Sequence, residues 1–297
     1  MKFFKGVTIV GSYDTGEPED FKFSEKNILN IQGSDFIPLY YIDDHRRKDL
    51  PSVRLYKSGK IKSLSLQELS RVPTKYGEYE VEKIIFYENG GFKRLFPLDG
   101  KISGYWTEED EKCLAKEYTF KFPFGDIEGK FISMHFYDTQ ELKSLTLWPK
   151  EIVEVNHGGK RIKSRIGISL YKSGKLRSCE PNASTLIKTP IGEIDAYDKN
   201  AIGVHGEDNS LKFYEDGSIK SLITSTNIIR IKDKEGEETI HSPREERLFV
   251  NSDIPDIITM HVEFKGDKVV VDGEYEYDLN ENSFKIDYLG GRKLLLF

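Results

Sequence analysis

One short motif occurs five times in this chain and constrains its fold more than any other feature. It consists of a tyrosine, two turn-forming residues, usually a glycine, one variable residue, a large apolar residue and a basic residue. The copies of this tyrosine motif are residues 56–62, 87–93, 137–143, 171–177 and 214–220. A recurring unit solves the same folding problem at each copy, whether or not any copy binds a ligand. The motif therefore predicts architecture and leaves the chemistry open.

The length of the tyrosine motif is typical of a β-hairpin in which a type I turn is followed by a residue in the left-handed conformation. Glycine suits that position because it has no Cβ to clash. In the first copy Gly59 occupies the left-handed position, between Tyr56 and Lys60. Gln140 takes it in the third copy. We therefore expect local strain or a different loop at Gln140.

Two longer blocks of the sequence resemble each other. Residues 55–63 and 170–178 are alike, and Thr74 and Gly77 recur at Thr189 and Gly192 with the same offset. We interpret this as an ancestral duplication. The second block then departs from the first through an acidic insert, residues 193–209. Insertions on a repeated scaffold usually form loops, and loops often carry function, so the insert is the first place to look for a site.

The sequence predicts an all-β fold, an antiparallel meander of repeated β-hairpins that forms an elongated or solenoid-like sheet. A β-propeller-like closure is the alternative, because the motifs are spaced at about the length of a propeller blade. One short helix is predicted near residues 107–118, because Thr107 can cap a segment whose first turn is acidic.

Three regions can be distinguished along the chain, which together could form one continuous domain. Residues 1–52 contain a predicted strand at Val7 to Val10 and a polar loop at Gly11 to Asp20, residues 53–231 contain the hairpin motifs, and residues 232–297 form a C-terminal β-hairpin region. Apolar and polar residues alternate on both sides of a turn at Asp272, which predicts a hairpin in the last region.

The tyrosine motif resembles the MORN-type repeat, in particular its bacterial variant, in which a tyrosine, a turn with glycine and an aliphatic residue mark each hairpin. The resemblance covers the five motifs only, and their spacing is longer and less regular than in that family. It implies a β-hairpin sheet that acts as a scaffold for proteins or membranes. It implies no catalytic residues.

Composition narrows the classes of partner. The net charge is −6 with both signs interspersed, whereas nucleic-acid binding needs a basic surface. Two cysteines and no closely spaced Cys/His set predict neither a disulfide framework nor a metal site, and no cofactor is indicated. The start of the chain lacks an export signal, and no apolar stretch reaches the roughly 20 residues that span a bilayer. These features predict a cytoplasmic protein and leave its oligomeric state open.

We therefore predict a non-enzymatic binding or scaffold module with a protein as a possible partner, because the histidines are scattered and no catalytic set is recognisable. The two tryptophans at strand ends are candidate aromatic platforms, although packing would also explain them. Polar and aromatic residues of the insert complete the candidate binding set. The set is Trp106, Trp148, Asp195, Tyr197, Asp198 and His205.

Two alternative functions remain open. The first is an enzyme acting on a polar substrate such as a carbohydrate, in which acidic residues of the 193–209 insert would converge with Trp106 or Trp148. The second is peripheral binding to anionic membranes through the basic residue of each motif. Those residues are Lys62, Lys93, Lys143, Arg177 and Lys220.

Overall fold

The computed structural model describes residues 4–42, 46–202, 206–246 and 256–289. The fold is all-β with antiparallel strands, which confirms the predicted hairpin meander. Contacts divide the chain into two compact units. Unit 1 comprises Met1–Lys121 and Glu128–Trp148, and unit 2 comprises Phe122–Ile127 and Pro149–Phe297.

The first half of the chain contains eleven strands and the one helix that the described residues form. They are β1 (Val7–Ser12), β2 (Pro18–Phe23), β3 (Leu29–Ile31), β4 (Ser34–Phe36), β5 (Val53–Leu55), β6 (Ile61–Thr74), β7 (Gly77–Phe86), β8 (Phe92–Phe96), α1 (Glu108–Leu114), β9 (Glu117–Phe122), β10 (Gly125–Phe136) and β11 (Leu142–Leu147). In unit 1, strands β1, β2, β5, β6, β7, β8, β10 and β11 pair in that order. This series is a meander and is not divided into the four-stranded blades of the propeller alternative.

The strands of the second half belong to unit 2. They are β12 (Val153–His157), β13 (Lys160–Leu170), β14 (Leu176–Pro181), β15 (Thr185–Thr189), β16 (Gly192–Ala196), β17 (Leu211–Phe213), β18 (Ile219–Thr224), β19 (Asn227–Lys232), β20 (Glu238–His241), β21 (Arg244–Glu246), β22 (Asp256–Ile258), β23 (Met260–Lys265), β24 (Lys268–Val271), β25 (Tyr275–Asp278) and β26 (Ser283–Tyr288). Strands β12, β13, β14, β17, β18, β23, β24 and β25 pair in that order. The hairpin β15–β16 and the three strands β20–β19–β26 form separate small sheets.

All five tyrosine motifs form the same turn. In the first copy, the Tyr56 amide donates to the Lys60 carbonyl at 2.7 Å and the Gly59 amide donates to the Tyr56 carbonyl at 2.8 Å. Gln140 keeps this turn with a positive φ of 72°, so the third copy contains the strained residue and not a different loop. Its side-chain amide accepts from Phe92 N at 2.9 Å and donates to Phe92 O at 3.1 Å, which anchors the unfavourable conformation.

The basic residue of each motif is the extra residue of a β-bulge. In the first copy Leu55 faces Ile61 and Arg54 faces Ser63, so Lys62 has no residue opposite it. Residues three apart in a regular strand point to opposite faces, but the bulge brings Ile61 and the following leucine to the same face. The same register shift occurs in the other four copies. The residues two positions after the basic residue are fully buried: Leu64, Leu95, Leu145, Cys179 and Leu222.

Tyrosine hydroxyl groups connect successive hairpins within each unit. Each donates to the carbonyl that precedes the next hairpin turn, at 2.7 to 2.8 Å. The pairs are Tyr56 with Phe86, Tyr87 with Phe136, Tyr171 with Phe213, and Tyr214 with Phe264. In all five motifs the basic side chain lies over the tyrosine ring of its own motif, 5.6 to 6.0 Å from the centroid. The recurring polar groups therefore serve the architecture.

A sixth copy of this turn occupies the segment predicted to be a polar loop, Gly11 to Asp20. The segment is a hairpin between β1 and β2, in which the Tyr13 amide donates to Glu17 O at 2.9 Å and Gly16 has a φ of 95°. The Tyr13 hydroxyl donates to Leu55 O at 2.8 Å, as the motif tyrosines do. Sequence analysis missed this copy because Pro18 and Glu19 replace the apolar and basic residues.

We expect Tyr214→Phe to lower the free energy of unfolding by about 1 kcal/mol, because it removes one hydrogen bond and leaves the buried carbonyl of Phe264 without its donor. Tyr105→Phe is the matched control, since Tyr105 is 95% exposed, and it should leave stability unchanged. Urea denaturation of the full chain measures both. Equal stability of the two variants would contradict a stabilising role for the tyrosine hydroxyl groups of the motifs.

The helix and the C-terminal hairpin are present where they were predicted. Thr107 caps α1 in a reciprocal capping box with Asp110, but the helix ends at Leu114 and Glu117 already begins β9. The hairpin β24–β25 turns at Asp272 and Gly273, both with positive φ. No helix among the described residues has the length and apolar character needed to cross a membrane.

Candidate functional site

The two candidate tryptophans both make packing or hydrogen-bond contacts in unit 1. The indole N–H of Trp106 donates to Glu111 Oε2 at 2.7 Å, and the ring is only partly exposed. Trp148 is 6% exposed and packs in a small apolar cluster with Leu98 and Ala115. The sequence offered packing as the alternative to an aromatic platform for the tryptophans. The contacts within the fold agree with that alternative.

Arg165 brings two of the candidate insert residues together. Its guanidinium lies 5.2 Å from the centroid of the Tyr197 ring and donates to the Asp198 carbonyl at 2.8 Å. Asp195 does not take part in these contacts; it is buried in β16, where its amide donates to Asn227 Oδ1. His205 lies outside the described residues.

A pocket of about 210 Å³ lies in unit 2, where the end of the insert packs against β14, β17 and β23. We call it the Glu180 pocket. Its polar lining residues are Glu180, Asp198, Asn200, Asp208, Asn209, Ser210, Lys212 and His261. The insert that sequence analysis singled out therefore supplies part of a concave polar site, together with sheet residues that the sequence had not indicated.

Glu180 is the most unusual group of this pocket because it is an acid with only 1% of its surface exposed. One carboxyl oxygen accepts from Ser210 N at 2.7 Å and the other from Ser210 Oγ at 2.9 Å. Burial raises the pKa of Glu180 to about 7, although the Ser210 hydrogen bonds and the charge of Arg165 act in the opposite direction. Near neutral pH this carboxyl is therefore divided between its protonated and ionised forms.

Asn209 adds a buried acceptor without a partner. Asn209 is 2% exposed. Its Nδ2 donates to Ser178 Oγ at 2.7 Å and to Gly206 O at 3.0 Å. The carbonyl acceptor at Gly206 fixes the orientation of the amide. The Oδ1 atom has no hydrogen-bond partner among the described residues. A buried acceptor in this state costs about 1–3 kcal/mol.

The backbone at the pocket wall is strained. Ile166 has a φ of 64°, and a β-branched residue rarely adopts the left-handed region. It lies where a register shift interrupts the pairing of β13 with β14, between Arg165 and Ile168. Such conformations cost about 1–3 kcal/mol and are concentrated at functional sites. The strain therefore singles out the same location as the buried carboxyl and the unpaired amide oxygen.

The described residues contain no cluster of three or more His, Cys, Asp or Glu side chains suited to a metal ion. Cys179, next to Glu180, is completely buried, and burial raises the pKa of its thiol well above its usual range. The thiol therefore stays protonated and is a poor nucleophile. The chemistry of the pocket is that of hydrogen bonding and charge.

Sequence analysis missed Glu180, Asn209 and His261 as site residues, although one signal was present for the first. Glu180 occupies the motif slot that holds Ser65 in the first copy and Thr146 in the third, both of which are buried. An acidic residue at a position that is buried in other motif copies is a candidate for a carboxyl with a shifted pKa. Asn209 lies at the end of the insert that was singled out, although nothing marked this residue individually, and no signal marked His261.

A second groove, of about 550 Å³, passes the side chain of His157 in the same unit. The His157 ring stacks on Phe213 with centroids 3.7 Å apart, and its Nε2 lies 2.8 Å from Gly217 O. This ring nitrogen of His157 is thus already engaged with the backbone. The Glu180 pocket is the better candidate because its polar groups are incompletely satisfied.

Comparisons with known proteins do not assign the chain to a family. No family model matches it, and neither the curated proteins nor the solved structures yield a match. The resemblance to MORN-type repeats stays a prediction.

Proposed function

We propose that this chain is a non-enzymatic binding module of the cytoplasm, in which a scaffold of repeated hairpins presents the Glu180 pocket to a small polar ligand. One observation carries the proposal: the buried Asn209 Oδ1 lacks a donor in a pocket that also contains the buried Glu180 carboxyl. The tyrosine and basic side chains of the motifs contact one another, which favours a scaffold role for them. The free cysteines, Cys113 and Cys179, are compatible with a reducing compartment.

A ligand-observed NMR screen of the full chain against small amines, polyols and carboxylic acids tests this proposal. At least one class should bind at millimolar concentration or below and should be lost in Ala201→Phe, which fills the pocket from its wall. Ala183→Phe is the matched control, because Ala183 is exposed and lies outside the pocket. Binding that survives in Ala201→Phe, or no binding by any class, would contradict the proposal.

An enzyme acting on a polar substrate is the second candidate function, and the pKa of about 7 at Glu180 favours it. A carboxyl with that pKa can accept and return a proton near neutral pH, as general acid–base catalysis requires. The same NMR samples distinguish the two functions. Conversion of a bound compound that stops in Glu180→Gln would establish catalysis, and binding without conversion supports the binding module.

Peripheral membrane binding through the basic residues of the motifs stays a prediction. Each of these residues lies over a tyrosine ring, and Lys62 also pairs with Glu19 at 3.0 Å. Sedimentation with anionic vesicles tests it. Charge reversal at Lys62 and Lys220 should abolish co-sedimentation if these residues bind the lipid surface.

A further inference from the structure

The Glu180 pocket contains two buried groups that can accept further hydrogen bonds. Each Glu180 oxygen accepts one bond from Ser210, and an ionised carboxylate offers about four acceptor positions, so about two are left. Asn209 Oδ1 accepts none from the described residues. A ligand group that fills these positions must therefore donate at least two hydrogen bonds.

The basic residues around the pocket leave the remaining acceptor positions of Glu180 unfilled. Asp198 on the insert and Asp208 before β17 are acidic, whereas Arg165 on β13, Lys212 on β17 and His261 on β23 are basic. Lys212 is paired with Asp208 at 3.0 Å. Arg165 directs its Nη2 to the Asp198 carbonyl and stays 4.0 Å from the Glu180 carboxyl. Neither fixed cation is thus in hydrogen-bond contact with Glu180.

We propose that the Glu180 pocket binds the protonated amino group of a small organic ligand. An ammonium group has three donors and no acceptor, so it can satisfy Glu180 and Asn209 together, whereas a hydroxyl group donates only one hydrogen bond. A volume of about 210 Å³ suits a small aliphatic amine. This inference rests on the proposed function, because it names the ligand class of the same pocket.

Binding of an ammonium group requires the ionised form of Glu180, so a bound ligand displaces the proton of this carboxyl. In the free protein the pKa of about 7 leaves roughly a tenth of Glu180 ionised at pH 6 and roughly nine tenths at pH 8. The apparent affinity scales with the fraction in the binding form. An aliphatic amine with a pKa near that of lysine, about 10.4, stays charged over this interval.

Titration of the full chain with propylamine and with its neutral isostere 1-propanol, followed by NMR at pH 6.0 and pH 8.0, tests the inference. Propylamine should bind at least about tenfold more tightly than 1-propanol, and its affinity should rise about tenfold between the two pH values. Glu180→Gln should remove both the preference for the amine and the pH step. Glu193→Gln, an exposed carboxyl on β16, is the matched control and should retain both.

The possible results separate this inference from the proposed function. If 1-propanol binds as tightly as propylamine, the ammonium inference is wrong but the binding module stands. If no compound of the wider screen binds at the pocket, both are wrong. A pH step that persists in Glu180→Gln and disappears in His261→Gln would overturn the role of Glu180, because protonated His261 would then be the group that repels the amine. Circular dichroism of each variant at both pH values verifies that it is folded.

Discussion

Arg46→Ala is expected to lower the free energy of unfolding by about 3–5 kcal/mol, the largest effect of any single substitution considered for this protein. Arg46 lies between two buried acids of unit 1. Its Nη1 and Nη2 donate to the two oxygens of Glu82 at 2.8 Å, and its Nε and Nη2 donate to those of Glu111 at 2.8 Å. Glu82 is 5% exposed and Glu111 1% exposed. Removal of the guanidinium leaves two buried carboxylates without their main cation.

Equilibrium denaturation of the full chain measures this loss. Arg46→Lys should recover only part of it, because an ammonium group cannot make paired hydrogen bonds to two carboxylates at once. Arg71→Ala is the matched control: Arg71 is 74% exposed in its side chain, lies 3.6 Å from Glu80, and should cost at most about 1 kcal/mol. Similar losses in Arg46→Ala and Arg71→Ala would show that the buried network contributes no more than a surface ion pair.

The wild-type protein should lose about 2–3 kcal/mol of stability relative to Glu180→Gln between pH 5 and pH 8. Burial raises the pKa of Glu180 from 4.5 to about 7, so the folded state binds more protons than the unfolded state between these values. Stability therefore falls as the pH rises through this interval and becomes nearly constant above about pH 8. Glutamine has no proton to lose, so the variant lacks this contribution.

Urea denaturation at intervals of half a pH unit, with both proteins in the same buffers, isolates the contribution of Glu180 from other titrating groups. The stability of Glu193→Gln should have the same pH dependence as that of the wild type, because Glu193 is exposed. Parallel curves for wild type and Glu180→Gln would mean that the carboxyl titrates near its ordinary pKa. That result would also remove the pH step expected for amine binding while leaving the pocket in place.

The hairpins were predictable because their determinants are local. A glycine at the fourth motif position, such as Gly59, favours the left-handed conformation, and the five motifs placed their turns correctly. The same local reasoning failed at Tyr13, where Pro18 and Glu19 obscured the pattern. The motif does not specify the bulge at its basic residue, because a register shift depends on the partner strand.

The buried charges were not predictable from the sequence. Arg46 follows a polar stretch with no sign of burial, and its partners Glu82 and Glu111 are distant from it along the chain. The hydrogen bond from the Trp106 N–H to Glu111 was likewise not predictable. Ion pairs and hydrogen bonds of this kind join side chains from separate elements, and a single sequence contains no measure of their distance.

The sequence by itself determined the all-β class, the turns and the location of the insert, since backbone preferences and residue periodicity act over a few neighbouring residues. Only the tertiary structure decided that Glu180, Asn209 and the insert enclose one pocket, and that the motif side chains contact one another. Burial and charge depend on which strands become neighbours. The properties that suggest a function here, a raised pKa and an unpaired amide oxygen, therefore arise only after the chain has folded.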